Sequence, residues 1–206
     1  MNIEIIPVKY GESALPESMV FQGGSSDKLC SIDFFIYLLK AREKVILIDA
    51  GCETMPGFIM KKFIGSIKAL EEIGIFPDAV TDVILTHSHH DHIECVKYFK
   101  NSVIHIQKDE FEFGKQYIPD GFDVNTFDEE YIVCDGVKIV KIGGHSKGSC
   151  VVELNKNIVF IGDECYIRDC ITRKIPTGAT VCLEKSKELV EKYSNSKYTL
   201  LFSHSE

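Results

Sequence analysis

The sequence predicts a mixed α/β fold built on two sheets, and three features of the chain carry that expectation. Ten short segments rich in Ile, Val and Phe, bounded by Gly, Asp or Asn, read as buried or half-buried strands. Two longer stretches have a helical period instead. No linker, repeat or low-complexity tract divides the 206 residues, so one domain over 1–206 is expected. Many strands with few helices between them favour layered sheets over a helix bundle.

In chain order the strands are expected at Ile3–Val8, Ser31–Leu39, Val45–Asp49, Val80–Thr86, Ser102–Ile106, Tyr131–Cys134, Val137–Ile142, Cys150–Leu154, Ile158–Ile161 and Tyr198–Ser203. Met60, Phe63, Ile64, Ile67 and Leu70 fall at i, i+3, i+4, i+7 and i+10, a single apolar stripe opened by Pro56 and closed by Gly74, which predicts a helix. A second helix is predicted over about Leu183–Tyr193, with Glu188 and Lys192 spaced to pair at i,i+4 on a solvated face.

Composition narrows the function classes. With 45% hydrophobic and 26% charged residues the chain is globular. Its longest apolar run, Phe34–Leu39, is six residues, against the ~20 of a membrane-spanning helix, so no membrane partner is expected. Lys and Arg total 23 against 31 Asp and Glu, a formal charge of −8 that repels nucleic acid. The segment Met1–Pro7 has neither a basic start nor a long apolar stretch, so no export signal is read there. The eight cysteines form no C-x-x-C pair and several sit inside apolar runs, which reads as reduced core thiols and a cytoplasmic protein.

The chemistry is concentrated at strand ends. Val83-Ile84-Leu85-Thr86 runs directly into His87-Ser88-His89-His90-Asp91-His92. On an extended backbone His87 and His89 project to the same side and reach one metal ion, while Asp91 and His92, opening the next helix, point to a second position. His145 follows the Val140–Gly144 segment, Asp163 follows Ile158–Gly162, and His204 follows Leu200–Ser203, each a ligand type just past an apolar strand. The remaining histidines are read without a ligand role: His90 as a solvent-facing spacer and His105 as a hydrogen-bonded sheet residue. Cys52 and Cys165 lie beside these motifs and are read as inert thiols.

The elements Leu47-Ile48-Asp49-Ala50-Gly51, His87-x-His89-x-Asp91-His92, Gly144-His145, Gly162-Asp163 and Ser203-His204 occur in the order found in the metallo-β-lactamase superfamily, which the sequence resembles. The resemblance implies a four-layer αββα sandwich of two mixed sheets flanked by helices. It further implies that His87, His89 and His145 hold one metal and Asp91, His92 and His204 the other. Asp163 would bridge the two, and Asp49 would support the ligand loop. Two Zn²⁺ are expected, with Fe or Mn suited to the same donors. Tyr166, three residues past Asp163, resembles the substrate-contacting tyrosine of the N-acyl homoserine lactone lactonases. The segment Gln107–Tyr117 and the Asp135-Gly136-Val137 turn also look like that branch. Two positions depart from the usual family pattern: Lys147 stands where relatives commonly carry proline, and Ser149 where they often carry a second histidine.

That resemblance implies a hydrolase in which a metal-bridging hydroxide attacks an ester-like carbonyl of a small-molecule lactone. Tyr166 would donate to the oxyanion, and Asp91 and Asp163 would take part as catalytic carboxylates. Phe111, Phe113, Tyr117, Ile118, Phe122 and Phe127 are read as either an apolar wall for an acyl chain or anchors of a peripheral helix. A glyoxalase II-like thioesterase, using Arg168, Arg173 and Lys174 on an anionic thiol carrier, is the alternative within enzymes. A di-iron redox protein and a non-catalytic metal-binding module are alternatives of other classes.

Overall fold

The computed structural model describes residues 3–155 and 157–205. Met1, Asn2, Lys156 and Glu206 lie outside the described residues, and with them the part of the leader reading that rests on Met1 and Asn2. The chain divides into two compact units, Met1–Gly11 with Phe35–Asp128 and Glu12–Phe34 with Glu129–Glu206. Eleven strands are formed among the described residues: β1 (Glu4–Pro16), β2 (Leu29–Ala41), β3 (Lys44–Ile48), β4 (Asp82–Leu85), β5 (Val103–Gln107), β6 (Asp123–Phe127), β7 (Glu130–Cys134), β8 (Val137–Lys141), β9 (Cys150–Leu154), β10 (Ile158–Phe160) and β11 (Thr199–Leu201). The α-helices are α1 (Glu17–Val20), α2 (Ser66–Glu72), α3 (His90–Ile93), α4 (Lys108–Gly114), α5 (Arg168–Thr172) and α6 (Leu183–Tyr193). No helix among the described residues is long and apolar enough to cross a membrane.

Both sheets are mixed, as expected. One has the order β1-β2-β3-β4-β5-β6 and the other β11-β10-β9-β8-β7. In the first, β3, β4, β5 and β6 pair in parallel, with Ile48 opposite Ile84 and Leu85 opposite Ile106. Parallel pairs need crossover connections, and α2, α3 and α4 lie in the three crossovers. Ile46, Leu47, Ile48, Val83, Ile84, Leu85, Ile104 and Ile106 are fully buried, the continuous apolar character of strands covered on both faces. Because β3 and β4 run the same way in register, the residues that follow Ile48 and Leu85 leave the sheet at the same edge. The second sheet repeats this device: β10 pairs in parallel with β11, and β8 and β10 both pair antiparallel with β9, so β8, β10 and β11 all point one way.

Three expectations change. The apolar stripe at 60–70 gives a helix only from Ser66 onward. Gly65 has φ 81°, and before it Phe63 packs on the Tyr10 ring at 6.2 Å while the Ile64 amide donates to the Tyr10 carbonyl at 3.0 Å. Pairing with β1 supplies hydrogen bonds that outweigh the local helical period. The aromatic stretch ends in an unexpected strand, β6, whose mostly polar sequence Asp-Val-Asn-Thr-Phe suits an edge. Helix α6 has the expected bounds, but Lys192 turns to Glu153 at 3.5 Å and the Tyr193 hydroxyl at 2.8 Å instead of Glu188.

One buried ion cluster ties the parallel strands together. Asp82, opening β4, accepts from Lys44 of β3 at 2.7 Å, from the Thr81 hydroxyl at 2.7 Å and from His105 Nε2 of β5 at 2.9 Å. The Asp82 carboxylate can only accept, so the His105 proton sits on Nε2 and Nδ1 accepts from Asn125 of β6 at 3.2 Å. His105 is thereby the sheet residue the sequence suggested. Burial alone would push the Asp82 carboxyl up, but its hydrogen bonds from His105, Lys44 and Thr81 outweigh that and hold it at about 2, below the ordinary 3.8. A depressed carboxylate contributes stability that is complete above its unfolded value and lost as pH falls through its folded value. Unfolding measured from pH 7 to pH 2 should therefore show about 2 kcal/mol disappearing between roughly pH 4 and pH 2. Asp82→Asn should lose a similar amount at pH 7 and flatten that limb; a mutant with wild-type acid sensitivity would contradict the assignment.

Candidate active site

In the first unit the site is built on Asp49, which follows β3. Its φ of 60° places a residue with a Cβ in the sparsely used left-handed region. Fully buried, its carboxylate gathers the Thr86 amide at 2.8 Å, the Thr86 hydroxyl at 2.9 Å and His92 Nδ1 at 2.8 Å. His87 and His89 emerge just past β4 with ring centroids 4.6 Å apart, and the His87 and His92 rings are 4.1 Å apart. Asp91 and His92 lie on α3, with Asp91 Oδ2 3.5 Å from His92 Nε2. The helix is pinned where it starts: the Tyr10 hydroxyl donates to the Asp91 carbonyl at 2.9 Å and the Ala50 amide to the His92 carbonyl at 2.7 Å.

The second unit brings His145, Asp163, His204 and Tyr166 together. Asp163 presents one carboxylate oxygen to each of two imidazoles: Oδ2 lies 3.7 Å from His145 Nε2 and Oδ1 3.1 Å from His204 Nε2. The buried Tyr166 ring meets the rings of His204 at 5.1 Å and His145 at 5.8 Å, edge to face. Phe34 packs on the other side of the His204 ring at 5.0 Å. Beside Asp163 stands a second buried carboxylate, Glu164, which burial pushes up to about 7 against the hydrogen bonds it accepts from Ser149, His145 and Gly144.

The chemistry of these donors fits a metal. His145 Nδ1 lies 2.6 Å from the Ala179 carbonyl and His204 Nδ1 2.9 Å from the Asp33 carbonyl. A carbonyl only accepts, so both Nδ1 atoms carry a proton, which in the neutral ring leaves the lone pair on Nε2. Asp49 imposes the same tautomer on His92. The Thr86 hydroxyl gives its one proton to Asp49 and so accepts from His87 Nδ1 at 3.2 Å, which leaves His87 in that tautomer as well. Imidazoles oriented through Nδ1 to oxygen acceptors are the usual supports of metal-ligating histidines. With carboxylates and no thiolate, the set suits Zn, Fe or Mn.

Several neighbours have other roles. His90 is half-buried rather than a solvent-facing spacer, because Nε2 lies 2.9 Å from the Thr54 carbonyl and Nδ1 3.3 Å from the Tyr117 hydroxyl. Burial, with Asp91 nearby, pushes the Cys52 thiol up to about 12. A hydrogen bond with Cys170, together with burial, raises the Cys165 thiol. Both shifts favour the protonated thiol. None of the eight cysteines is joined in a disulfide. Among the aromatic stretch, Phe113 is exposed while Ile118 and Phe127 are buried. Arg173 stacks over the Phe21 ring at 4.5 Å and Lys174 pairs with Glu191 at 3.2 Å. Glu164, Ala179 and Asp33 escaped sequence reasoning; only Glu164, a second carboxylate after an apolar strand, left a readable signal.

Asp49→Asn keeps a residue tolerant of the left-handed conformation but replaces a carboxylate oxygen with a donor. The variant should fold and bind metal about 10- to 100-fold more weakly, measured by competition with a chelating dye. Affinity within about twofold of wild type would remove Asp49 from the support of His92.

The geometry has counterparts in known proteins. The family model of the metallo-beta-lactamase superfamily matches residues 35–204. A probable metallo-hydrolase of Methanocaldococcus jannaschii is 28% identical, over 77% of this chain and 70% of its own. The N-acyl homoserine lactonase AiiB of Agrobacterium fabrum is 25% identical, over 99% of this chain and 94% of its own. Among solved structures, an N-acyl homoserine lactone hydrolase with N-hexanoyl-L-homoserine at its catalytic metal center superposes with a TM-score of 0.86 at 22% identity, covering 100% of this chain and 94% of that one, which shows the shared αββα sandwich fold. With its strand-end imidazoles and carboxylates, its two mixed sheets and a family match spanning most of its length, the chain belongs to the metallo-beta-lactamase superfamily and is similar within it to the N-acyl homoserine lactonases.

Proposed function

We propose that the protein is a dinuclear metal-dependent hydrolase acting on an ester-like carbonyl, with a lactone bearing an apolar acyl chain as its substrate. The observation that carries this reading is the shared tautomer of His87, His92, His145 and His204, each held through Nδ1 so that Nε2 is left as a ligand atom. In this reading 1–206 acts as one domain. His87, His89 and His145 would hold one cation and Asp91, His92 and His204 the other, with Asp163 as a ligand available to both. Two Zn²⁺ are the proposed cofactors, with Fe and Mn suited to the same donors. When bound, such a pair supplies Lewis acidity and an activated water at neutral pH.

The chain's own groups do the rest. Tyr166 donates its hydroxyl proton in a hydrogen bond to the substrate carbonyl oxygen as charge gathers there. Asp163 takes the proton released on attack and returns it to the leaving oxygen, and Asp91 orients the attacking water. No covalent intermediate is needed, and the raised thiols of Cys52 and Cys165 make neither a nucleophile at neutral pH. The similarity to lactonases supports a lactone substrate. The engagement of Arg173 and Lys174 with Phe21 and Glu191 leaves them poorly placed to serve the thioesterase alternative. The proposed partner is a neutral small molecule, in the cytoplasm, with no nucleic acid or membrane involved.

Elemental analysis of metal-saturated protein should give close to two ions per chain; one or fewer rejects the dinuclear centre. An N-acyl lactone should be hydrolysed with higher kcat/KM than a glutathione thioester, and the reverse order would favour the thioesterase. Tyr166→Phe should lower kcat by about 10- to 100-fold, less than the loss of a sole oxyanion donor because the metal shares that task, with metal content unchanged. Full activity in that variant would remove Tyr166 from the mechanism.

A further inference from the structure

Glu164 is a buried carboxylate that the proposed mechanism does not use. It lies in the short turn Gly162–Glu164 after β10, next to Asp163, and is 1% exposed. Both of its oxygens are directed at the connection between β8 and β9, which contains His145. The Gly144 amide donates to Oε1 at 3.1 Å and the His145 amide to Oε2 at 3.1 Å. The Ser149 hydroxyl, at the far end of the same loop, also donates to Oε1. Two successive amides converging on one carboxylate make a backbone anion nest, here filled by a side chain of the protein itself.

The approach is too close for any residue but glycine at 144. A Cβ there would run into the Glu164 carboxylate and the Ser186 hydroxyl. From the opposite side the Gly144 carbonyl accepts from the Thr180 hydroxyl at 2.6 Å and from the Val181 amide at 2.8 Å. The His145 ring is anchored separately at the Ala179 carbonyl. The backbone of His145 is thus gripped on both sides, and one grip is the residue adjacent to Asp163.

We infer that Glu164 is a positioning residue: its carboxylate clamps the Gly144–Ser149 loop and so sets His145 in register with Asp163 for metal binding. This rests on the proposed function only in taking His145 and Asp163 as ligands. The geometry gives the pair Asp163-Glu164 a division of labour, one carboxylate facing the imidazole rings of His145 and His204 and the next facing the loop that carries His145. A buried carboxylate is costly, and three donors converging on it are the compensation that permits it.

Glu164→Gln tests this, since glutamine keeps the shape but turns a donor toward at least one of the three donors. In metal-free protein, hydrogen exchange at the Gly144 and His145 amides should accelerate about 10-fold or more, with amides of β3 to β5 unchanged. Zn²⁺ titration should show one of two ions bound about 10-fold more weakly and the other within about twofold. Ser149→Ala, which removes one of the three donors and keeps both amide bonds, should shift each readout in the same direction by less than Glu164→Gln does; a larger shift would place the clamp on Ser149 and overturn the role given to the two amides. Wild-type exchange and wild-type affinity in Glu164→Gln would overturn the clamp. Should that variant not fold, Gly144→Ala, which wedges a methyl between carboxylate and amides, takes its place with the same expected and overturning results. A wild-type chain that binds fewer than two Zn²⁺ counts against the proposed function, and the amide exchange then decides the clamp alone.

Discussion

Four imidazoles in this protein are held by an oxygen on their Nδ1 side, and much of the surrounding structure exists to put that oxygen in place. For His92 the oxygen belongs to Asp49, a residue forced into the left-handed region as the chain leaves β3. For His87 it is the Thr86 hydroxyl, which becomes an acceptor only because Asp49 takes its proton. For His145 and His204 it is a main-chain carbonyl, of Ala179 and Asp33. A carbonyl can only accept, so it places the proton of the neutral ring on Nδ1. The side-chain and main-chain solutions therefore reach the same end, an Nε2 lone pair aimed by the fold.

Strand direction makes this arrangement economical. β3 and β4 run in parallel register, so Asp49 and Thr86 leave the sheet side by side and meet without a long connection. β8, β10 and β11 share a direction, so His145, Asp163 and His204 follow three strand ends at one edge. Side chains that leave the ends of sheet strands inherit the stiffness of the sheet, which holds their geometry better than free loops do.

Buried carboxylates recur throughout, and their partners separate structural from chemical roles. Asp82 faces Lys44, His105 and Thr81 and is held ionised; it joins neighbouring parallel strands. Asp49 and Glu164 face main-chain amides beside histidines, so their acceptor oxygens serve the placement of those rings. Asp163 faces imidazole nitrogens with both oxygens. The distinction lies in what each oxygen accepts from rather than in how deeply it is buried.

An α/β fold on two sheets, most strand cores, α6 and the identity of the ligand-type residues were legible in the sequence, because these depend on local apolar runs and on side chains that announce their chemistry; that both sheets are mixed followed from the family resemblance. His87-x-His89-x-Asp91-His92 past an apolar strand is legible since few other uses need those residues at those offsets. Tertiary structure decided what no local pattern encodes. Residues 60–64 carry a helical period yet lie along β1, because hydrogen bonding to Tyr10 outweighs a weak propensity. β6 hides in polar sequence because an edge strand needs few apolar residues. The acceptors at Ala179 and Asp33 are main-chain carbonyls, which every residue possesses, so nothing in the sequence marks them out. Glu164 was readable as a carboxylate but not as a clamp, since its meaning lies in amides about twenty residues away that only folding brings to it.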